Sequence, residues 1–181
     1  MSIVLTETQL RQNEAALAKL QEMLIALEQG ATKVILAARE ASSDASEDKY
    51  NAYLRFREVV DDFDTLAIVI EYKLKRMRDE KAEALGEKFD ELTAFMLSSI
   101  VSASLHFRRI LSEKSELGFG ARDVFKSELR SLYHAKDRIE SERYIGRLNE
   151  RTKADLIAAE QILEIVIEKA PKLLRFDDKE D

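Results

Sequence analysis

The sequence contains no cysteine, a single proline and only five glycines among 181 residues. Without cysteine, the chain can form neither disulfides nor thiolate metal sites. The scarcity of glycine and proline leaves few turn signals and favours long helices over a β-sandwich or a disordered chain. Since 45% of the residues are hydrophobic and 35% are charged, we expect one all-α domain with a substantial core.

The sequence contains no long apolar run, and we expect no export signal. No run approaches the roughly 20 apolar residues of a membrane span. The opening MSIVL is short and lacks the basic start of a signal peptide. The absence of cysteine fits a reducing compartment, so we expect a cytoplasmic protein. The formal net charge of −6 disfavours generic nucleic-acid binding.

Hydrophobic spacing predicts about four long helices in an elongated antiparallel bundle with coiled-coil-like packing. The first helix begins at a candidate capping box, Thr6 with Gln9, and ends near Ala41. The last helix is predicted over 121–170. Its middle has few large apolar residues and is expected to be either a bent, solvated face or an extension beyond the body of the bundle. The bundle should occupy residues 1–176 as one domain.

The remaining boundaries concern the middle of the chain and its end. The second helix is predicted over about 47–80, and polar residues with a glycine favour a break near 79–86. Without that break, residues 47–111 would form one helix and the bundle would have three. The acidic tail, 177–181, is expected to be disordered.

The run from Leu85 to Leu111 is apolar on every side when it is written as a helix. It contains no Asp, Glu, Lys or Arg from Ala94 to Phe107. A helix that is apolar all round is buried all round, so we expect this helix at the centre of the bundle. It also carries a patch of small residues that favours close approach by another helix. The patch consists of Ser98, Ser99, Ser102, Ala103 and Ser104.

No metal site is expected from the histidines. Bundles that bind two iron or manganese ions use Glu-x-x-His pairs on two helices. The chain has only His106 and His134, and the residues three positions before them are Ala103 and Ser131. The required pairs are absent, and we predict neither a metal nor another cofactor.

His106 has a second interpretation, because it lies on the predicted central helix and is followed by Arg108 and Arg109. This short stretch resembles the phospho-accepting motif of histidine-phosphotransfer domains, which are four-helix bundles. That family has a glycine after the basic residue, where this chain has Ile110. The alternatives are a core histidine that is hydrogen-bonded to a neighbouring helix, and a ligand to haem or to another apolar molecule.

The candidate partner-binding residues are basic. Arg143, Arg147 and Arg151 recur at i, i+4 spacing, at which like charges on one helix repel each other. Nearby glutamates could neutralise them, or they could bind an acidic protein surface, an anionic membrane or a polyanion. The full candidate set is Arg138, Arg143, Arg147, Arg151, Lys73 and Arg76.

These observations favour a non-enzymatic helical interaction protein, such as a scaffold, adaptor or chaperone. No arrangement of residues in the sequence is typical of a catalytic site, so no catalytic residue is predicted. We expect another protein as the partner and a homodimer or larger oligomer. The alternatives are a signalling or ligand-binding bundle that uses His106, and a helical dimer that binds an anionic membrane surface.

Overall fold

A computed structural model describes residues 7–43, 49–77, 80–113 and 121–169, and the regular elements within them are all α-helices. The prediction of an all-α bundle is therefore confirmed. The helices are α1 (Glu7–Ala41), α2 (Lys49–Leu74), α3 (Glu80–Glu113), α4 (Ala121–Ile139), α5 (Glu142–Ile145) and α6 (Glu150–Lys169). The first of them has 35 residues and is about 52 Å long.

The first three helices run alternately up and down. Arg55 of α2 forms an ion pair with Glu40 near the end of α1, at 2.7 Å. Near the other end of α2, Glu71 lies beside the start of α3, because Arg143 bonds both Glu71 and Asp90. Short loops between antiparallel helices are the usual connection in such bundles.

The prediction that α3 is the central helix is confirmed, because α3 packs against each of the other helices described. The Phe107 side chain of α3 is buried and stacks on Tyr53 of α2, with ring centroids 3.7 Å apart. Burying one such side chain stabilises the fold by about 1.5–3 kcal/mol. The prediction that this helix is buried on all sides is wrong, however, because Phe95 of α3 is 48% exposed.

The predicted single last helix over 121–170 is wrong. The structure divides it into α4, the one-turn α5 and α6, and the chain reverses direction between α4 and α6. The reversal brings Lys136 of α4 to 3.8 Å from Glu160 of α6. Asn149 begins the new helix as an N-cap, since its Oδ1 accepts a hydrogen bond from the Thr152 backbone N–H at 2.8 Å. The described residues thus form five long helices.

The break between α2 and α3 lies slightly earlier than predicted. Helix α2 ends at Leu74 and α3 begins at Glu80, while Gly86 lies inside α3. The candidate capping residue Thr6 and the acidic tail, 177–181, are outside the described residues. Among the helices that the structure describes, none is both long and apolar enough to cross a membrane.

Candidate functional site

A recess lies between α1 and α6, with α3 as its floor, and we call it the α1–α6 groove. Its volume is about 290 Å³. The floor contains Phe95 and most of the small-residue patch predicted from the sequence. The residues that line it are Ile35, Ala38, Arg39, Ser42, Phe95, Ser98, Ser99, Ser102, Ala103, Asn149, Arg151, Thr152 and Asp155.

Two serines of the groove floor form hydrogen bonds to the backbone of their own helix. Ser98 donates a hydrogen bond to the Ala94 carbonyl oxygen at 2.9 Å, and Ser99 donates to the Phe95 carbonyl oxygen at 3.0 Å. Ser104, the last member of the patch, is buried beside the Tyr53 hydroxyl instead. Because the Ser98 and Ser99 hydroxyls bond the backbone of α3, this part of the floor offers a smooth surface of small side chains.

The arginines at i, i+4 spacing do not form one helical face. Arg143 lies in α5, Arg147 in the turn after it, and Arg151 in the first turn of α6. Arg143 donates to Glu71 of α2 at 2.6 Å and to Asp90 of α3 at 2.6 and 2.8 Å. Hydrogen bonds to these two carboxylates raise the pKa of Arg143, although burial opposes that effect.

Two further arginines of the set also bond acidic residues of α2 or α3. Arg147 donates to Glu87 at 2.6 Å, and Arg138 lies 3.5 Å from Asp64. The sequence suggested neutralisation by Glu140, Glu142 and Glu150, but Glu140 and Glu150 pair with lysines instead. These arginines therefore hold the α4–α6 reversal against the rest of the bundle.

Arg151 and the two basic residues of α2 are placed differently. Arg151 is exposed, lines the α1–α6 groove and forms no ion pair with the residues that the structure describes. Arg76 bonds the Tyr72 hydroxyl and lies 5.0 Å from the centre of that ring. Lys73 is exposed in the last turn of α2. The structure thus does not bring Lys73 and Arg76 together with Arg151.

His106 lies in the last third of α3 and is half-buried. Its Nε2 atom is buried, so a phosphoryl group carried by another protein cannot reach that nitrogen. The side chains of Arg108, Arg109 and Ile110 lie outside the described part of the structure. Within the described residues, no three or more His, Asp or Glu side chains are grouped to hold a metal ion.

A second recess contains Arg138 together with Arg57 and Arg130, which the sequence did not single out. We call it the α2–α4 pocket; it has a volume of about 260 Å³ and lies between α2 and α4. Beside it, Arg57 Nε lies 3.7 Å from Oε1 of Glu128, which is only 7% exposed. Burial raises the pKa of Glu128 to about 8 and lowers the pKa of Arg57. No sequence pattern predicts the contact between Arg57 and Glu128, because the two residues are far apart along the chain.

Comparison with known proteins does not suggest a function for either recess. No protein-family model, curated protein or solved structure matches the chain.

Proposed function

We propose that the protein is a non-enzymatic helical interaction protein, a scaffold or adaptor, that binds one helix of a partner protein in the α1–α6 groove. The observation that carries this proposal is the exposed Phe95 beside a floor of small side chains. A large exposed aromatic side chain that a partner can cover is typical of binding hot spots.

The shape of the floor favours a helix as the ligand. Phe95, Ser99 and Ser102 recur at four- and three-residue spacing, so they lie on one face of α3 at successive turns. Two helices approach to about 8–10 Å between their axes, and small side chains at the contact allow the shorter distances. Phe95 and Ile35 would then contact the apolar edge of the partner helix.

The charge of the groove favours an acidic partner. Arg39 of α1 and Arg151 of α6 line opposite walls, and neither pairs with an acidic residue that the structure describes. Asp155 is the only acidic residue among the lining residues. A partner helix with an apolar edge and Asp or Glu beside it would satisfy both arginines, and opposite charges of this kind increase association rates and specificity.

Replacing Phe95 with glutamate tests this proposal. The Phe95→Glu variant should lose a protein that co-purifies with the wild-type chain from its native host, because a carboxylate replaces the apolar contact and repels an acidic helix. Its thermal midpoint should change little, since Phe95 is half-exposed. Ile25→Glu is the matched control, because Ile25 is similarly exposed but does not line the groove. Retention of the same partner by both variants would refute the groove as the binding site.

We also expect the protein to self-associate. Several large hydrophobic side chains of the described residues are exposed, and covering such side chains in an oligomer removes apolar surface from water. The most exposed are Ile68, Leu36, Ile157 and Tyr72. Light scattering at micromolar concentration should give at least twice the chain mass of 20.7 kDa. A mass equal to that of one chain would disprove self-association without affecting the partner-helix proposal.

A further inference from the structure

Helix α2 has a regular exposed face on the side away from the core. Its buried side chains, among them Phe56, Phe63 and Ile70, pack into the core. On the opposite side, exposed residues recur at alternating four- and three-residue steps, the spacing at which one helix packs along another. We call this set the outer face of α2, and it consists of Leu54, Glu58, Asp61, Thr65, Ile68 and Tyr72.

The second half of the outer face is apolar. Ile68 is 68% exposed, more than any other large hydrophobic side chain described, and Tyr72 is 59% exposed. The two residues are four positions apart and are therefore neighbours on the helix surface. Val69, beside them, is also exposed. Covering these three side chains with another molecule would remove a substantial apolar area from water.

The charges around this apolar surface are separated along the helix. Glu58 and Asp62 lie in the first half of α2, whereas Lys73 lies in its last turn and Arg76 in the turn that follows. The bond from Arg76 to the Tyr72 hydroxyl holds the guanidinium on the outer face. That hydroxyl is uncharged, and Glu58, Asp62 and Lys73 form no ion pair with a residue that the structure describes. The outer face therefore has an acidic end and a basic end.

A second copy of α2 in antiparallel orientation matches this arrangement. One register places Glu58 opposite Arg76 and Asp62 opposite Lys73, because both pairs are centred within one residue of Ile68. Two-fold symmetry forms each pair twice and brings the two Ile68 side chains together beside the axis. A parallel alignment would place like charges opposite each other, which is unfavourable.

We propose that two copies of the chain associate through the outer face of α2, antiparallel about a two-fold axis beside Ile68. This proposal rests on the self-association expected above and assigns its interface. It also gives a role to Lys73 and Arg76, which the structure places apart from Arg151. The interface leaves the α1–α6 groove open to a partner, since no residue of α2 lines that groove.

Exchange of the charges between copies tests the proposal by sedimentation equilibrium of the full chain. One variant combines Glu58→Lys with Asp62→Lys, and the other combines Lys73→Glu with Arg76→Glu. Each variant alone should have a dimer dissociation constant at least about tenfold above that of the wild type, because like charges then face each other. An equimolar mixture of the two variants should associate again as a heterodimer, because opposite charges face each other once more.

The apolar centre has its own variant and matched control. Ile68→Glu should raise the dissociation constant at least about tenfold, since two carboxylates would meet beside the axis. Ile157→Glu should not, because Ile157 is similarly exposed but lies on α6. Thermal midpoints near that of the wild type would show that the variants are folded, as expected at exposed positions.

The outcomes separate this interface from self-association in general. A monomeric wild type would overturn both. A wild-type oligomer that persists in Ile68→Glu and in both charge variants, or that Ile157→Glu weakens as much as Ile68→Glu does, would overturn the α2 interface alone. Failure of the two charge variants to associate in the mixture would also contradict the antiparallel register.

Discussion

Replacing Arg143 with glutamine is expected to lower the free energy of unfolding by about 1–2 kcal/mol, since hydrogen bonds between charged groups are lost and the side chain is partly exposed. Arg143 joins three parts of the bundle: its own helix α5, Glu71 of α2 and Asp90 of α3. It also lies 5.5 Å from the ring centre of Phe89. Its removal leaves two neighbouring carboxylates without their shared cation.

Urea denaturation of the wild type, Arg143→Gln and Arg151→Gln would measure this effect. Arg151 is the matched control, because it has the same side chain a short distance along the chain and no ion pair with a described residue. Its replacement should change stability by less than about 0.5 kcal/mol. Equal losses in the two variants would show that Arg143 does not hold the α4–α6 reversal to α2 and α3.

Replacing Glu128 with glutamine is expected to change how stability depends on pH. The pKa of Glu128 is raised from 4.5 to about 8 because the carboxyl is buried. The native protein therefore binds a proton that the unfolded chain has released between about pH 4.5 and 8. The stability that the protonated Glu128 carboxyl contributes to the native state is fully present below about pH 4.5 and is lost as the pH rises through about 8. Glutamine carries no such proton and removes the dependence.

The size of this effect follows from the pKa shift. One pKa unit corresponds to about 1.4 kcal/mol, and attraction to Arg57 reduces the cost of the charged form. We compare the free energy of unfolding of Glu128→Gln with that of the wild type at each pH. Between pH 5 and pH 9, this difference should shift in favour of the variant by about 2–4 kcal/mol. Chemical denaturation at both pH values measures it. Glu150→Gln, at an exposed position, is the control; identical pH profiles for wild type and Glu128→Gln would contradict the buried-acid assignment.

The sequence predicted the helices whose hydrophobic spacing is continuous. Helix α1 retains its apolar stripe through Gly30, and α3 has no charged residue between Ala94 and Phe107, so both were located correctly. Burial then follows from periodicity, because a helix with apolar side chains on several faces must pack on several sides.

The α4–α6 reversal was missed because its sequence signals are weak. Gly146 adopts a right-handed helical conformation, with φ of −72°, so its presence did not require a turn. Asn149 is a good N-cap, but the equally spaced arginines on either side of it suggested one continuous helical face. A search for Asn or Asp directly before a glutamate could have located the start of α6.

The partners of the arginines could not be predicted, because they lie far away along the chain. Glu71 and Asp90 precede Arg143 by 72 and 53 residues, and only the packing of α5 against α3 brings them together. The α1–α6 groove was also beyond prediction. A floor of small residues has the same sequence pattern whether another helix of the chain covers it or leaves it open.

These placements separate the basic residues by role. Arg143 and Arg147 bond acidic residues of α2 and α3, whereas Arg39 and Arg151 face the α1–α6 groove without an ion pair to the described residues. We therefore expect replacement of the first pair to affect stability and replacement of the second pair to affect partner binding.

Photo-crosslinking from inside the α1–α6 groove tests the proposed interaction most directly. A photoreactive phenylalanine analogue at position 95, expressed in the native host, should crosslink to one helical segment with an apolar edge and flanking acidic residues, identified by mass spectrometry. The same analogue at position 25, outside the groove, should not crosslink to that segment. Failure to crosslink at position 95, or capture of the same segment from both positions, would contradict binding of a partner helix in the groove.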